Sequence, residues 1–329
     1  MESRKDGKMN EILRELSLIG IVPVIKIENA ADAVPLAEAL RKGGLPCAEV
    51  TFRTAAAKEA IRNISAALPD MLVGAGTVLT TAQADEAIEA GAKFIVTPGF
   101  NPDVVRHCIS KGYPIVPGIN NPSGIEQALS MGLETVKFFP AEQSGGVKMI
   151  KAMAAPYGAV RFMPTGGINP SNLNDYLAFP KILCCGGSWM VDAGMIAKGD
   201  FAGIESLVRE AVDTMLGFRF KHLGINCGSP EDAANCSEAL AAMFAFRQEK
   251  KAVSTFVGHS LEIMHRPGRG EKGHIAIETN SVERAVYHLK RRGVRFDSDS
   301  EIRDKTGALK LIYLADEIDG FAFHLAEKD

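Results

Sequence analysis

The sequence predicts an α/β protein: a (β/α)8 TIM barrel over residues 1–217, followed by a smaller α+β domain of paired βαβββ type over 218–329. Three observations carry this reading. Short apolar runs alternate with amphipathic helical stretches through the first part of the chain, the signature of repeated βα units. Glycines stand where those helices should stop. Histidine usage then changes: only His107 precedes residue 218, whereas His222, His259, His265, His274, His288 and His324 follow it.

Taken in order, the chain opens with a helix over 10–18. Strands are predicted at 21–25, 48–52, 72–75, 94–97, 115–117, 135–139, 161–163 and 182–185. Helical stretches at 31–42, 55–67, 81–90 and 122–131 fall between them, with Gly43-Gly44, Gly91, Gly112 and Gly132 at helix ends. Eight βα units in so short a span fit a compact barrel. A doubly wound open sheet would want fewer strands and a G-x-G-x-x-G after the first, and that motif is missing there.

Beyond 217 the chain carries a weak internal repeat. KHLGIN (221–226) is followed by a helix over 230–244, and GHIAIE (273–278) by a helix over 281–292. Further strands are predicted at 253–257, 261–264, 309–314 and 321–325. No Pro- or Ser-rich linker separates the two parts.

Composition narrows the function classes. Of 329 residues, 46% are hydrophobic and 23% charged, which are ordinary globular values and exclude disorder or collagen-like repeats. A net charge of −3 leaves no basic surplus for nucleic acid or an anionic membrane. The apolar runs fall short of the roughly 20 residues that cross a bilayer. The first residues, MESRKDGKMNEILREL, have charges but no apolar run behind them, so a secretory leader is not expected. No cysteine pair has C-x-x-C spacing, and a reducing cytoplasm is the simplest setting.

Barrel active sites collect at the C-terminal ends of strands. Those ends read EVTFR (49–53), GAGT (74–77), TPGF (97–100), VKFFP (136–140), PTGG (164–167) and GGS (186–188). The two-residue period puts Glu49, Thr51 and Arg53 on one face and gives Lys137 and Phe139 a shared face. An ammonium inside a barrel is costly to desolvate, and the neutral amine this favours is a nucleophile towards carbonyls. The plainer alternatives are a structural Lys137–Glu49 ion pair or an exposed strand-end Lys137, with Phe139 as core. Two glycine turns after the last two strands stand where barrel enzymes bind phosphate through backbone N–H groups.

The motifs AEVTFRT (48–54), GAGTVL (74–79), TPGFNP (97–102), VKFFPAE (136–142), PTGGI (164–168) and CGGSWMV (185–191) resemble the 2-keto-3-deoxy-6-phosphogluconate (KDPG) aldolase family, also called 4-hydroxy-2-oxoglutarate (KHG) aldolase. The resemblance runs from about residue 12 to 215 with every motif in order. It implies a class I aldolase that works without cofactor, is generally a homotrimer and acts on a small keto acid in the cytoplasm. By the same resemblance Lys137 forms the Schiff base and Glu49 is the general acid/base. Arg53 would hold the pyruvate carboxylate. Thr77, Pro98 and Phe139 would line the pyruvate pocket with Thr165 beside them, while Gly166, Gly167, Gly187 and Ser188 would hold a distal phosphate. Gluconate- and galactonate-derived substrates, which differ at C4, both stay open.

Residues 218–327 resemble the vicinal oxygen chelate fold of glyoxalases and extradiol dioxygenases. Matching strands implies a divalent-metal set of His222, Glu262, His274 and His324, all facing one side of a sheet, for Zn, Fe, Ni or Mn. The last position follows a D-G-aromatic run and is commonly Glu in that superfamily; here Asp319-Gly320-Phe321 leads to His324. The tail could equally be a metal-free packing module, a second catalytic domain or a metabolite-binding regulator. His259 and His265 are expected in turns and His288 on a helix, all solvated.

Overall fold

A computed structural model describes residues 10–328, and the chain divides into two compact units, Met1–Met215 and Leu216–Asp329. The charged segment 1–9, part of the stretch read above as lacking a leader's apolar run, lies outside the described residues. Among the described residues no helix is long and apolar enough to cross a membrane.

The first unit opens with α1 (Glu11–Ile19). Asn10 caps it by accepting from the Ile12 N–H, and Gly20 ends it in the left-handed region. The strands that follow are β1 (Ile21–Ile25), β2 (Cys47–Thr51), β3 (Leu72–Gly76), β4 (Phe94–Val96), β5 (Ile115–Val116), β6 (Gly118–Ile119), β7 (Thr135–Phe138), β8 (Arg161–Pro164) and β9 (Cys185–Gly187). The helices between them are α2 (Ala33–Gly43), α3 (Ala57–Ala67), α4 (Thr81–Glu89), α5 (Pro102–Ser110), α6 (Pro122–Ser130), α7 (Gly146–Ala154), α8 (Leu173–Leu177) and α9 (Ala193–Ala197), with α10 (Phe201–Leu216) last.

All strand pairs in this unit are parallel, in ladders ordered β5-β4-β3-β2-β1-β9 and β6-β7-β8. Two features join them. β5 and β6 are one stave interrupted at Pro117, which has no N–H to give but whose carbonyl accepts from Lys137 N at 2.8 Å. Bridges Phe162↔Ile182 and Thr165↔Gly186 tie β8 to β9. The ring therefore closes with eight staves, and every residue of β2 and β3 is buried, as strands covered on both faces must be.

Besides the break at Pro117 in the strand predicted at 115–117, sequence and structure differ at two barrel elements. The run predicted as a strand at 182–185 is buried, but it makes only an isolated bridge at Ile182 before its ladder with β1 starts at Ile21↔Cys185. The helix predicted at 31–42 divides into a 3-10 turn, Ala30–Asp32, capped by Asn29, and α2.

The second unit is one eight-stranded sheet of order β11-β12-β13-β10-β14-β17-β16-β15. Its elements are β10 (Arg219–Asn226), α11 (Pro230–Phe244), β11 (Gln248–Lys250), β12 (Ser254–Val257), β13 (Leu261–Met264), β14 (Gly273–Thr279), α12 (Val282–Arg291), β15 (Phe296–Arg303), β16 (Leu309–Leu314) and β17 (Phe321–Glu327). Each half runs βαβββ. In each, the first strand pairs parallel with the last, β10 with β13 and β14 with β17, and the halves meet at the antiparallel β10–β14 pair. Residues from α11 and its strands, Ala233, Val257 and Ile263, form a small core.

β11 and β15 escape the sequence reading because they are the two edge strands, QEK and FDSDSEIR, and are mostly exposed. With no buried face they show no apolar alternation. The expected solvation of His288 is also corrected: it is 3% exposed. Val282, Ala285 and His288 recur at three-residue spacing and form the buried stripe of α12. His265 is half-buried, with its Nε2 2.9 Å from Thr255 Oγ1, while His259 is exposed.

Candidate functional site

Within the barrel, Glu49 projects from the middle of β2 and Lys137 from β7. Lys137 Nζ donates to Glu49 Oε1 at 3.0 Å, and the two residues are 5% and 0% exposed. Glu49 is registered with Gly74, and Thr51 with Gly76. Gly76 makes room for the carboxylate: a Cβ there would lie 2.7 Å from Glu49 Cγ and overlap Oε1. Glu49 Oε2 is buried without a hydrogen-bond partner, as is Thr165 Oγ1. Unpaired buried polar atoms are costly, and a polar guest reaching them would remove that cost.

Phe139, two residues along from Lys137, links this pair to an open cavity. The Lys137 Nζ stands 5.5 Å from its ring centroid. The cavity holds about 320 Å³ at the C-terminal mouth of the barrel, and Phe139, Thr165, Gly166, Gly167, Gly187 and Ser188 all border it, together with Arg53. Thr77 and Pro98 lie just beyond β3 and β4 and do not border this cavity. Thr77 is half-buried at φ 55°, a backbone region that a β-branched residue occupies only under strain. That strain has no sequence signature.

The glycine turn after β8 has φ of 102° at Gly166 and 80° at Gly167, which side chains resist. A loop following β7 braces it. Ala141 N donates to Thr165 O at 2.8 Å and Glu142 N to Gly166 O at 3.1 Å. A Cβ on Gly167 would lie 2.6 Å from Glu142 Cγ. The Glu142 side chain in turn accepts from the Tyr176 hydroxyl, and burial together with this bond pushes the Tyr176 phenol well above its ordinary range. Lys148 and Lys151, on the helix after this loop, are exposed. Sequence reasoning did not find Lys26, which also borders the cavity, because a lysine following an apolar run reads as a solvated strand end.

The second unit brings His222, His274 and His324 together, their nitrogens all within 4.8 Å of one another. His222 lies on β10, His274 on β14, His324 on β17 and Glu262 on β13. The register places them in two neighbouring rows: Glu262, Gly224 and His274 in one; His222, Ala276 and His324 in the next. His222 and Gly224 are two residues apart, so both rows face one side of the sheet. Gly224 leaves room for the imidazole that a Cβ would overlap.

Glu262 Oε2 stands 3.1 Å from His222 Nε2 and 3.2 Å from His274 Nε2. Its Oε1 accepts from the buried Ser254 Oγ at 2.6 Å. Burial opposes the charged carboxylate, yet the bonds from His222, His274 and Ser254 together hold it below the usual range. Burial, reinforced by the neighbouring His274 and His222, lowers His324 to about 4. The ring is therefore neutral, and its Nδ1 is buried without a hydrogen-bond partner. Three imidazoles converging with a carboxylate form a donor set suited to a divalent transition ion.

Residues 9–207 match the family model described as KDPG and KHG aldolase, and the chain belongs to that family. The 2-dehydro-3-deoxy-phosphogluconate aldolase of Treponema pallidum is 53% identical over 204 residues, which are 62% of this chain and 97% of the relative. The KHG/KDPG aldolase of Escherichia coli K12 is 46% identical over 193 residues, 59% of this chain and 91% of the relative. Among solved structures, the KDPG aldolase of Zymomonas mobilis ZM4 with 3-phosphoglycerate superposes with a TM-score of 0.57 at 46% identity, covering 61% of this chain and 93% of that one. The Legionella pneumophila enzyme, with pyruvate captured as a covalent carbinolamine, gives 0.59 at 38% identity, covering 60% and 97%. The relatives are aldolases, which are lyases.

Proposed function

We propose that the barrel is a class I aldolase that reversibly cleaves KDPG to pyruvate and glyceraldehyde 3-phosphate, and also 4-hydroxy-2-oxoglutarate to pyruvate and glyoxylate. The observation that carries this reading is the buried Lys137–Glu49 contact of 3.0 Å, next to Phe139, which borders the open, glycine-rimmed cavity.

In this reading Arg53 holds the substrate carboxylate as a fork-shaped donor, and Thr77, Pro98, Phe139 and Thr165 enclose the keto-acid end. The Lys137 amine attacks the C2 ketone. Glu49 delivers the proton that lets the carbinolamine hydroxyl leave as water, forming a protonated imine. The C4 hydroxyl gives its proton to Glu49, the C3–C4 bond breaks, and its electron pair enters the imine to form an enamine. The aldehyde departs. Protonation at C3 and hydrolysis then release pyruvate and free Lys137. The iminium is the electron sink, so the route uses no cofactor. Gly166, Gly167, Gly187 and Ser188 receive the distal phosphate through backbone N–H groups and a hydroxyl. The working enzyme is a cytoplasmic homotrimer.

Borohydride reduction in the presence of pyruvate, followed by peptide mapping, tests this reading. One pyruvyl adduct on Lys137 is expected, and none in Lys137→Ala. An adduct on another lysine, or none in the native chain, overturns it.

A second reading concerns residues 218–329, for which we infer a vicinal oxygen chelate-like domain whose His222, Glu262, His274 and His324 hold a divalent metal. The converging donors and the orphaned His324 nitrogen favour it. Such an ion would supply Lewis acidity to oxygen ligands. Ser254 fixes the rotamer of Glu262.

A further inference from the structure

The cavity at the barrel mouth has two cationic side chains on its border, Arg53 and Lys26. In the reading above, Arg53 is committed to the substrate carboxylate. The glycine turns contribute neutral N–H groups and Ser188 a neutral hydroxyl. A phosphate monoester carries nearly two negative charges at pH 7, so the distal end of the cavity is short of positive charge unless Lys26 supplies it.

Backbone geometry puts Lys26 in place. It follows directly on β1, at the C-terminal mouth. The β1–β2 register runs Val24↔Glu49 and Ile25↔Val50, so Lys26 continues it opposite Thr51, on the face that carries Glu49. On its other side β1 pairs with β9 up to Pro23↔Gly187, and Lys26 borders the same cavity as Gly187 and Ser188.

Nothing ties up its charge firmly. Lys26 Nζ is 2.6 Å from Glu28 Oε1, but the two side chains are 42% and 69% exposed, and such a surface pair is weak and exchanges readily. The acid on the same rim, Asp192, is occupied in capping α9, accepting from Gly194 N and Met195 N.

We propose that Lys26 is a specificity-determining residue that swings from Glu28 to the distal phosphate dianion and sets the preference for phosphorylated substrates. This rests on the aldolase reading, and the experiment separates the two. Lys26→Met keeps most of the stem and removes the charge. Steady-state cleavage of KDPG should lose about 10- to 100-fold in kcat/KM, chiefly through KM, as for one charge-assisted hydrogen bond. Cleavage of 2-keto-3-deoxygluconate, the same chain without phosphate, should change less than twofold. Borohydride trapping of pyruvate, which involves no distal group, should be unchanged, and Lys26→Arg should restore most of the KDPG rate. Equal losses on both substrates, or an unchanged KM for KDPG, overturn the proposal. Failure of the native chain to trap pyruvate overturns the aldolase reading and this inference with it.

Discussion

Lys137 and Glu49, 88 residues apart in the chain, meet at 3.0 Å inside the barrel, and the second carboxylate oxygen of Glu49 has no partner. Burying two ionisable groups costs several kcal/mol each, and their attraction alone recovers this only with full hydrogen bonding. A purely structural pair would be expected to satisfy both oxygens. An acid/base beside a nucleophile needs one left open.

Glu49→Gln keeps the shape of the side chain and removes the proton-transfer role proposed for it. We expect kcat for KDPG cleavage to fall about 10²- to 10⁴-fold, the usual worth of a general acid/base, with the fold retained by circular dichroism. A kcat within threefold of the native value would remove Glu49 from the mechanism.

Gly76→Ala places a methyl against the Glu49 carboxylate. Displacing a catalytic group by about 1 Å costs on the order of 10²-fold, and overpacking costs about 1–3 kcal/mol of stability. Rate assays and thermal melts should show both losses. A full rate at a lowered melting temperature would mean that Glu49 tolerates the shift.

Tyr176→Phe removes the donor to Glu142, whose loop braces the Gly166-Gly167 turn. Tyr176 is 1% exposed, so a loss of about 1.5–3 kcal/mol is expected for this bond to a charged group. The KM for KDPG should rise several-fold while pyruvate trapping proceeds normally. Loss of trapping in step with KM would place the damage in the barrel as a whole.

Metal content, measured by plasma mass spectrometry on tag-free protein purified without chelator, tests the second unit. Near-stoichiometric divalent metal is expected, lost in His274→Ala, with KDPG cleavage changed less than twofold. Ser254→Ala should weaken metal affinity by about 10- to 100-fold, as is usual for a group that orients a ligand. A native chain that neither retains nor takes up zinc, manganese or nickel would sink the metal reading.

Periodicity made much of the barrel legible. The strand read at 21–25 is β1, and the strands read at 48–52 and 135–139, which carry Glu49 and Lys137, are β2 and β7. The elements that escaped lack any signal of that kind. β11 and β15 have no apolar face, and the break at Pro117 leaves hydrogen bonding in place across it. His288 is a polar residue on an apolar stripe, and pattern reading assigned it to solvent. Lys26 needed the register of β1 against both β2 and β9 before its position meant anything.

The repeat in the second unit divides the cluster evenly. The first βαβββ half contributes His222 and Glu262, the second His274 and His324. Neither half by itself has more than two donors, so an ion captured there would report that both have folded and docked across β10 and β14. The cluster would act as a proofreading step in assembly: a chain cut short after β13 is left with half a coordination sphere and no means of completing it.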